Sequence, residues 1–322
     1  MSPIRVGVAG VGHLGYHHAR IYASMEGVEL VGVADPDVAR RTKSAEDFTV
    51  PAFSDVHGLI EAGVDAVSIA TPTVAHHDTA VALLQAGVHV LVEKPIAPTI
   101  AEAEVMVMLA KTHGRLLQVG HIERFNGAVL AFTQAITAPK FIECHRLSPF
   151  PGRGTDVSVV LDLMIHDLDI VLSLDSSEIV SLDAMGVAVF SSSEDIANVR
   201  LRFASGCVAN LTSSRVSMDR MRKIRIFEEN AYLSTDYSAQ EVIVYRKKPG
   251  PIPENTNPME HIDIEPLPVR KEEPLKLELE SFITCVREKR RPVVSGEDGV
   301  RALRVAEEVM RFIRDHGGAT RA

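Results

Sequence analysis

An acid–base pattern on one predicted helix is the first chemical feature of this 322-residue chain. Residues 158–174 suffice for about four to five helical turns and are apolar on almost every side, which is typical of a buried helix. Asp162, His166 and Asp169 stand at i, i+4 and i+7, so a regular α-helix stacks them along one face. Burying such groups costs free energy unless they are paired or used. These three polar residues therefore indicate either a buried network in which every polar group is hydrogen-bonded or a reaction centre.

A lysine at a strand end is the second chemical feature. Lys94 follows the predicted strand 88–92 and lies between Glu93 and Pro95. A cation in this position could hydrogen-bond a substrate oxygen and stabilise alkoxide-like charge in a transition state. The alternative is a surface lysine that pairs with Glu93.

A glycine-rich turn near the start of the chain predicts the site that these groups serve. Residues 10–15 read Gly-Val-Gly-His-Leu-Gly and lie between a predicted strand and a predicted helix, the context in which GxGxxG indicates dinucleotide binding. Gly10 allows the tight turn, Gly12 lets the backbone approach a pyrophosphate, and Gly15 lets the helix pack on the strand. The helix N-terminus then presents N–H groups to the anion.

The second predicted strand, 29–34, ends at Asp35, twenty residues after Gly15. A carboxylate there suits the 2′-hydroxyl of an adenosine ribose and repels a 2′-phosphate. We therefore expect NAD as the cofactor and regard NADP as disfavoured. Arg40 and Arg41 lie close by; they could soften this preference or form a solvated helix face.

Strands and helices alternate up to residue 119, which predicts a parallel, doubly wound Rossmann sheet with helices on both faces. Ligands of such sheets lie outside the carboxyl ends of the strands. The residues expected to contact the cofactor are Gly10, Gly12, His13, Leu14, Gly15, Asp35, Thr71, Pro72, His76, Glu93, Lys94 and Gln118.

Composition narrows the classes of function. With 46% hydrophobic and 24% charged residues the chain has the balance of a soluble globular protein, and a net charge of −9 disfavours nucleic-acid binding. We expect no signal peptide, because no charged n-region is followed by an apolar h-region. We expect no membrane span, because no apolar run reaches about 18 residues. The three separated cysteines fit neither a zinc site nor a disulfide framework, so we expect no metal, reduced thiols and a cytoplasmic location.

The motifs together resemble those of the glucose–fructose oxidoreductase/inositol dehydrogenase/MocA (Gfo/Idh/MocA) family, over essentially the whole chain. The matching segments are G-x-G-H-x-G, the acid at 35, A-T-P-T with the histidine at 76, E-K-P, and D-L-M-I-H-D-L-D. E-K-P combined with D-x-x-x-H is the specific part. The resemblance implies that Lys94, Asp162 and His166 are catalytic. It also implies NAD(P)-dependent oxidation of a ring hydroxyl of a sugar or cyclitol, or reduction of the ketone. Some members instead act as glycosidases with bound NAD.

After Gly120 the strand–helix rhythm stops. We expect a Rossmann domain over 1–121 and, over 122–322, an α+β domain for substrate binding and oligomerisation, built on a large, mostly antiparallel open sheet. One face of that sheet must be wet or pair with a second subunit. The family often uses this face for association, so the resemblance implies a homodimer or homotetramer.

Residues 120–126, 145–150 and 153–156 resemble one subgroup of the family, the bacterial UDP-N-acetylglucosamine 3-dehydrogenases, which supply a 3-keto sugar to an aminotransferase in making amide-linked lipid A. The expected reaction is oxidation of that nucleotide sugar. The alternatives are another sugar or cyclitol, such as inositol, or the glycosidase activity. The residues expected to bind substrate are His121, Arg124, Arg153, Asp162 and His166. Arg146 could join the arginines as a diphosphate clamp.

The resulting hypothesis is hydride transfer from a sugar C–OH carbon to nicotinamide. His166 acts as the general base, because an imidazole pKa lies near operating pH. Lys94 stabilises the alkoxide-like transition state and Asp162 orients substrate and imidazole. Lys94 could be the base instead. The hypothesis requires Lys94 and His166 to meet at one nicotinamide ring.

Overall fold

The computed structural model describes residues 2–150, 157–252 and 254–316. The chain divides into two compact units. The first comprises the residues through Ile122 together with Glu273–Leu303, and the second comprises Glu123–Glu272 together with the residues from Arg304 onward. A six-stranded sheet forms the centre of the first unit and an eight-stranded sheet that of the second.

The first unit is a doubly wound parallel sheet in the strand order β3-β2-β1-β4-β5-β6. The order reverses between β1 and β4, where sheets of this kind bind ligands. Its strands are β1 Ile4–Ala9, β2 Val28–Ala34, β3 Ala52–Phe53, β4 Ala66–Ile69, β5 His89–Glu93 and β6 Leu117–Gly120. Its helices are α1 His13–Ser24, α2 Val38–Phe48, α3 Val56–Glu61, α4 His76–Gln85, α5 Ile100–Thr112 and α8 Pro274–Glu288. The predicted Rossmann sheet is thus confirmed.

Helix α8 lies in the first unit, although the sequence analysis assigned its residues to the second domain. Leu279 and Phe282 on α8 are fully buried in one cluster with Val6 and Val8 of β1 and Tyr22 of α1. The apolar face of α8 therefore completes the core beside α1, the helix that follows the glycine-rich turn. The spacing of apolar residues along a helix identifies its apolar face, but it does not identify the strand, distant in sequence, on which that face packs.

The second unit has the sheet order β14-β13-β12-β11-β7-β10-β9-β8. Neighbouring strands are antiparallel except β7 and β10, so the predicted mostly antiparallel sheet is confirmed. The strands are β7 Phe141–Leu147, β8 Ile179–Val187, β9 Ile196–Phe203, β10 Val208–Ser214, β11 Met221–Phe227, β12 Ala231–Asp236, β13 Glu241–Lys247 and β14 Ile262–Pro266. The helices are α6 Gly127–Ala135, α7 Ile165–Leu174 and α9 Gly296–His316, and the division between the units falls within α9. No helix in the described part of the chain has the length and apolarity needed to cross a bilayer.

One face of the eight-stranded sheet carries a row of aromatic rings. Phe141, Phe227, Tyr232 and Tyr245 lie in register on β7, β11, β12 and β13, with successive ring centroids 5.6, 4.7 and 5.1 Å apart. On each strand at least one adjacent residue is buried, whereas the aromatic residues are only partly buried. These buried neighbours include Ile142, Ile226, Leu233 and Val244. The row therefore lies on the open face, where cross-strand aromatic pairs stabilise the sheet. We call these four residues the aromatic row.

Candidate active site

The glycine turn between β1 and α1 has the tight geometry that its sequence predicts. Gly10 has φ +83°, and a Cβ there would lie 2.6 Å from the backbone nitrogen of Thr71. A Cβ on Gly15 would lie 1.8 Å from the carbonyl oxygen of Gly10. The space beside Gly12 is open, since the nearest atom to a Cβ there is Nη1 of Arg40 at 3.8 Å. Gly10 and Gly15 therefore stand where a side chain would clash, and Gly12 leaves room for a phosphate.

Asp35 fixes this turn to the end of β2. Its carboxylate is buried, with Oδ2 accepting from the Val11 N–H at 2.8 Å and Oδ1 accepting from the Asp37 N–H at 2.8 Å. Each carboxylate oxygen has a second lone pair, which a ribose hydroxyl can use. Asp35 can thus hold the turn and a ribose at the same time.

A cavity of about 510 Å³ opens at the carboxyl ends of β1, β2 and β4. It is lined by Ala9, Gly10, Gly12, Ala34, Asp35, Pro36, Asp37, Arg40, Ser54, Asp55, Val56, Ala70, Thr71, Pro72, Ala75 and Thr79. The backbone N–H of Arg40 lowers the pKa of Asp37, and the backbone N–H of His57 lowers the pKa of Asp55. Three carboxylates and one guanidinium thus surround this space, and a 2′-phosphate there would meet net negative charge.

Five of the residues predicted to contact the cofactor line this cavity: Gly10, Gly12, Asp35, Thr71 and Pro72. His13 and Leu14 are exposed on the first turn of α1, and His13 borders a neighbouring space of about 400 Å³. Gln118 is fully buried, and its amide donates to the backbone oxygen of Glu278 at 3.3 Å on α8. The contact that the structure gives Gln118 is therefore internal to the fold, and its role in cofactor binding stays a prediction.

Lys94 lies immediately after β5, between two residues that are tied to other elements. The carboxylate of Glu93 contacts Nε2 of His18 on α1 at 3.1 Å. The Pro95 carbonyl lies 2.9 Å from Nδ1 of His76, whose Nε2 lies 3.0 Å from the Thr71 carbonyl. Burial lowers the pKa of His76, while the two carbonyls act in the opposite direction. His76 thus joins the end of β4 to the turn that carries Lys94.

The predicted catalytic helix begins with a π-helical turn. Val160–Met164 is π-helical and α7 follows from Ile165. A π turn has a wider repeat than an α turn, so the angular spacing of Asp162, His166 and Asp169 differs from that of the regular α-helix assumed from the sequence. Asp162 and His166 are half-buried, whereas Asp169 is buried. π turns in helices occur frequently at functional sites.

A buried ion-pair network holds α7 to β7. Arg146 donates to Asp167 through Nε at 2.9 Å and Nη2 at 2.8 Å, and to Glu123 through Nη1 at 2.8 Å. Burial alone lowers the pKa of Arg146, but Asp167 and then Glu123 outweigh it and raise the pKa. The Tyr237 ring lies 5.7 Å from the guanidinium carbon. We call Arg146, Asp167 and Glu123 the arginine triad.

This network corrects one expectation from the sequence. Arg146 is 3% exposed and its guanidinium is engaged by two carboxylates, so it does not serve as a diphosphate clamp. Arg124 lies 3.6 Å from Asp169, with 17% of its side chain exposed. His121 is buried in the first unit. Arg153 lies outside the described residues, and the substrate roles of Arg124, His121 and Arg153 stay predictions.

The remaining expectation was that Lys94 and His166 meet at one nicotinamide. Lys94 belongs to the first unit and Asp162 and His166 to the second, and their convergence stays a prediction. Sequence reasoning also missed His18, which contacts the residue before Lys94, and Asp167, the residue after His166 that Arg146 binds. The available signal was a polar residue on an otherwise apolar helical face, since such a group needs a partner when it is buried.

Comparison with known proteins places both units in one family. Residues 4–121 match the model described as oxidoreductase family, NAD-binding Rossmann fold, and residues 127–234 match the GFO/IDH/MocA C-terminal domain. UDP-N-acetylglucosamine 3-dehydrogenase of Acidithiobacillus ferrooxidans is 37% identical over 310 residues, covering 96% of this chain and 97% of the relative. Its solved structure, named GnnA, matches with a TM-score of 0.91 at 36% identity, covering 98% and 99% of the two chains. The scyllo-inositol 2-dehydrogenase (NAD(+)) of Bacillus subtilis is 28% identical, over 94% of this chain and 92% of that protein.

These matches span the glycine turn, the E-K-P segment and the helix with Asp162 and His166. The chain therefore belongs to the Gfo/Idh/MocA family of oxidoreductases, and its N-terminal unit is a nicotinamide-cofactor-binding Rossmann domain.

Proposed function

We propose that this chain is an NAD-dependent dehydrogenase that oxidises the 3-hydroxyl of the N-acetylglucosamine ring in UDP-N-acetylglucosamine to a ketone. The observation that carries the proposal is the 37% identity, over 96% of the chain, to the enzyme of that name from Acidithiobacillus ferrooxidans. The inositol dehydrogenase of Bacillus subtilis is more distant, at 28% identity. The proposed product is a 3-keto nucleotide sugar, a substrate for an aminotransferase on the route to amide-linked lipid A.

We propose NAD rather than NADP because of the charge around the cavity at β1, β2 and β4. Asp35, Asp37 and Asp55 line this cavity. A carboxylate at the end of β2 accepts a hydrogen bond from the ribose 2′-hydroxyl, the group that carries the phosphate in NADP. The open space at Gly12 and the N-terminus of α1 suit the pyrophosphate. Bound nicotinamide supplies the acceptor for the two electrons that leave the sugar carbon.

In the proposed mechanism His166 accepts the proton that leaves the sugar hydroxyl. Lys94 donates a hydrogen bond to the same oxygen and stabilises the negative charge that develops on it. Asp162 orients the imidazole and the sugar. The support is the resemblance of E-K-P and D-x-x-x-H to family motifs, within segments that match the two family models, together with the π-helical turn that carries Asp162. Comparing the pH profiles of Lys94→Arg and His166→Asn variants decides which group is the base, because only loss of the base removes the acidic limb.

The test follows the absorbance of reduced nicotinamide with UDP-N-acetylglucosamine, myo-inositol or scyllo-inositol, each with NAD or NADP. We expect a signal with the nucleotide sugar and NAD. Borodeuteride reduction of the product should then place deuterium at C3, as read by NMR. Turnover of an inositol without turnover of the nucleotide sugar refutes the substrate proposal. Release of free sugar without reduced nicotinamide establishes the glycosidase alternative.

We also propose a cytoplasmic homo-oligomer. The aromatic row on the open sheet face supports association, because a partly exposed row of rings is a surface that a second copy can cover. Cys144, Cys207 and Cys285 are free and buried, as is usual for a reducing compartment. Tyr232→Arg, at the centre of the row, should lower the mass measured by light scattering. An unchanged mass for this variant contradicts the assignment of this face.

A further inference from the structure

A buried histidine–carboxylate pair lies beside Lys94 and has no part in the mechanism above. Nε2 of His18 lies 3.1 Å from Oε1 of Glu93, with 0% of the histidine side chain and 11% of the carboxylate side chain exposed. Because a carboxylate oxygen only accepts, Nε2–H of His18 donates. A charge-assisted hydrogen bond of this kind, away from water, is among the stronger side-chain contacts.

The fold makes room for this carboxylate. Glu93 pairs in register with Gly120 on β6, and a Cβ on Gly120 would lie 2.9 Å from the Glu93 carboxyl carbon. The other carboxylate oxygen, Oε2, accepts from the backbone N–H of Lys94 at 3.3 Å. The Glu93 side chain therefore bridges α1 and the backbone of the lysine.

The far side of Lys94 is held as well. The Pro95 carbonyl lies 2.9 Å from His76, and His76 in turn contacts the backbone of Thr71, which lines the cavity at the strand ends. The residues before and after Lys94 are thus tied to α1 and to the end of β4. Both elements belong to the first unit; α1 carries the last glycine of the turn, and Thr71, which follows β4, lines the cavity.

We propose that His18 and Glu93 form a positioning pair for Lys94, which links the helix behind the glycine turn to the lysine. Neither side chain contacts the substrate; both act through the backbone of Lys94. The inference rests on the proposed catalytic role of Lys94. A pair that serves only stability would lower stability and activity whether or not Lys94 is present.

A double-mutant cycle separates these two roles. His18→Leu, which removes the donor at similar volume, should lower kcat by about tenfold to a hundredfold, since small displacements of a catalytic group cost factors of this size. KM for UDP-N-acetylglucosamine and Kd for NADH should change by less than about threefold, because the ground-state contacts remain. In a Lys94→Ala background, His18→Leu should have no further effect on kcat. The control His113→Leu replaces an exposed histidine at the end of α5 and should leave kcat unchanged.

A second readout does not require turnover. Lysines are dimethylated with ¹³C-formaldehyde, and the Lys94 resonance is assigned by its loss in Lys94→Arg. We expect His18→Leu to move this resonance and its pH titration, and His18→Gln, which retains an N–H donor, to restore part of the wild-type position. If His18→Leu does not fold, His18→Gln and Glu93→Gln provide the comparison.

Three results overturn the proposal: equal losses of kcat in the wild-type and Lys94→Ala backgrounds, a parallel loss of NADH affinity, or an unmoved Lys94 resonance. If the wild-type protein does not oxidise the nucleotide sugar, the proposed function fails. The resonance experiment then still tests the positioning pair.

Discussion

Replacing Arg146 by methionine should destabilise the protein strongly. The guanidinium is 3% exposed and donates three hydrogen bonds, two to Asp167 and one to Glu123. Methionine fills much of the same volume but leaves the Asp167 carboxylate, 1% exposed, without its cation, and it leaves Glu123, 8% exposed, with Arg222 at 3.8 Å. Removing one partner of a buried ion pair costs about 3–5 kcal/mol, because the remaining charge is buried without compensation.

The matched control is Arg225→Met on a neighbouring strand. Nη1 of Arg225 lies 3.2 Å from Oε2 of Glu143, but the two side chains are 49% and 28% exposed. Water screens such a pair, and its loss should cost at most about 1 kcal/mol. Both substitutions change the net charge equally, so their difference reports burial rather than overall charge.

Urea unfolding followed by circular dichroism measures the free energy of unfolding of both variants. The two values are compared when the dependence of this free energy on urea concentration is the same for both. We expect Arg146→Met to lose at least about 2 kcal/mol more than Arg225→Met. Equal losses would refute the reasoning, since they would show that Asp167 and Glu123 are solvated in the folded protein.

Three further predictions concern activity, the glycine turn and pH. His166→Ala should lower turnover by about 10²–10⁴, the usual contribution of a general base, and near wild-type rates would exclude the proposed role. Gly15→Ala should lower the melting temperature strongly, because its Cβ would lie 1.8 Å from the Gly10 oxygen. Gly12→Ala should keep the melting temperature of the free protein but weaken NADH binding, measured by calorimetry; the reverse order would contradict the geometry. Burial and a nearby arginine lower the pKa of His89 to about 4, and its Nδ1 accepts from a backbone N–H at 2.9 Å. Because the unfolded chain takes up the proton first, stability should fall between about pH 6.5 and 4, by about 1–2 kcal/mol after solvent screening. His89→Asn should flatten the stability profile in this range, and an unchanged slope would exclude His89 as its source.

The first unit was predictable because its signals are local. Gly10 has the positive φ of a tight turn, and Gly15 approaches Gly10 within that turn. Strands β2 and β5 end within one residue of their predicted ends at 34 and 92. Sequence reasoning missed strands β3, β8, β12 and β14, and of these β3, β8 and β14 contain no buried residue. Such strands are held by pairing with neighbours, which periodicity does not show.

The polar residues of the second unit were harder to predict, because their roles depend on partners distant in sequence. Arg146 was considered as a diphosphate clamp together with Arg124 and Arg153, yet Asp167 and Glu123 bind its guanidinium. The spacing of Asp162, His166 and Asp169 was read on a regular α-helix, whereas residues 160–164 form a π-helical turn. Spacing therefore selected candidate residues, whereas the charges and hydrogen bonds around Arg146 are visible only in the structure.

The two proposed catalytic groups each follow or precede a residue held by a buried charge. Glu93, bonded to His18, precedes Lys94, and Asp167, bonded to Arg146, follows His166. Apolar or neutral replacements of buried ion pairs are often as stable as the pair itself, so stability alone does not account for such costly contacts.

A variant that neutralises the whole arginine triad tests whether the contacts serve position instead. Arg146→Met combined with Glu123→Gln and Asp167→Asn removes the guanidinium and both charges, so no uncompensated carboxylate is left. It should recover most of the stability that Arg146→Met loses. Its kcat should nevertheless stay about tenfold or more below that of the wild type, because α7 is no longer held by oriented, charged hydrogen bonds beside His166. Recovery of stability together with wild-type kcat would show that the triad only fills space, and that the orientation of His166 arises from packing of the helix.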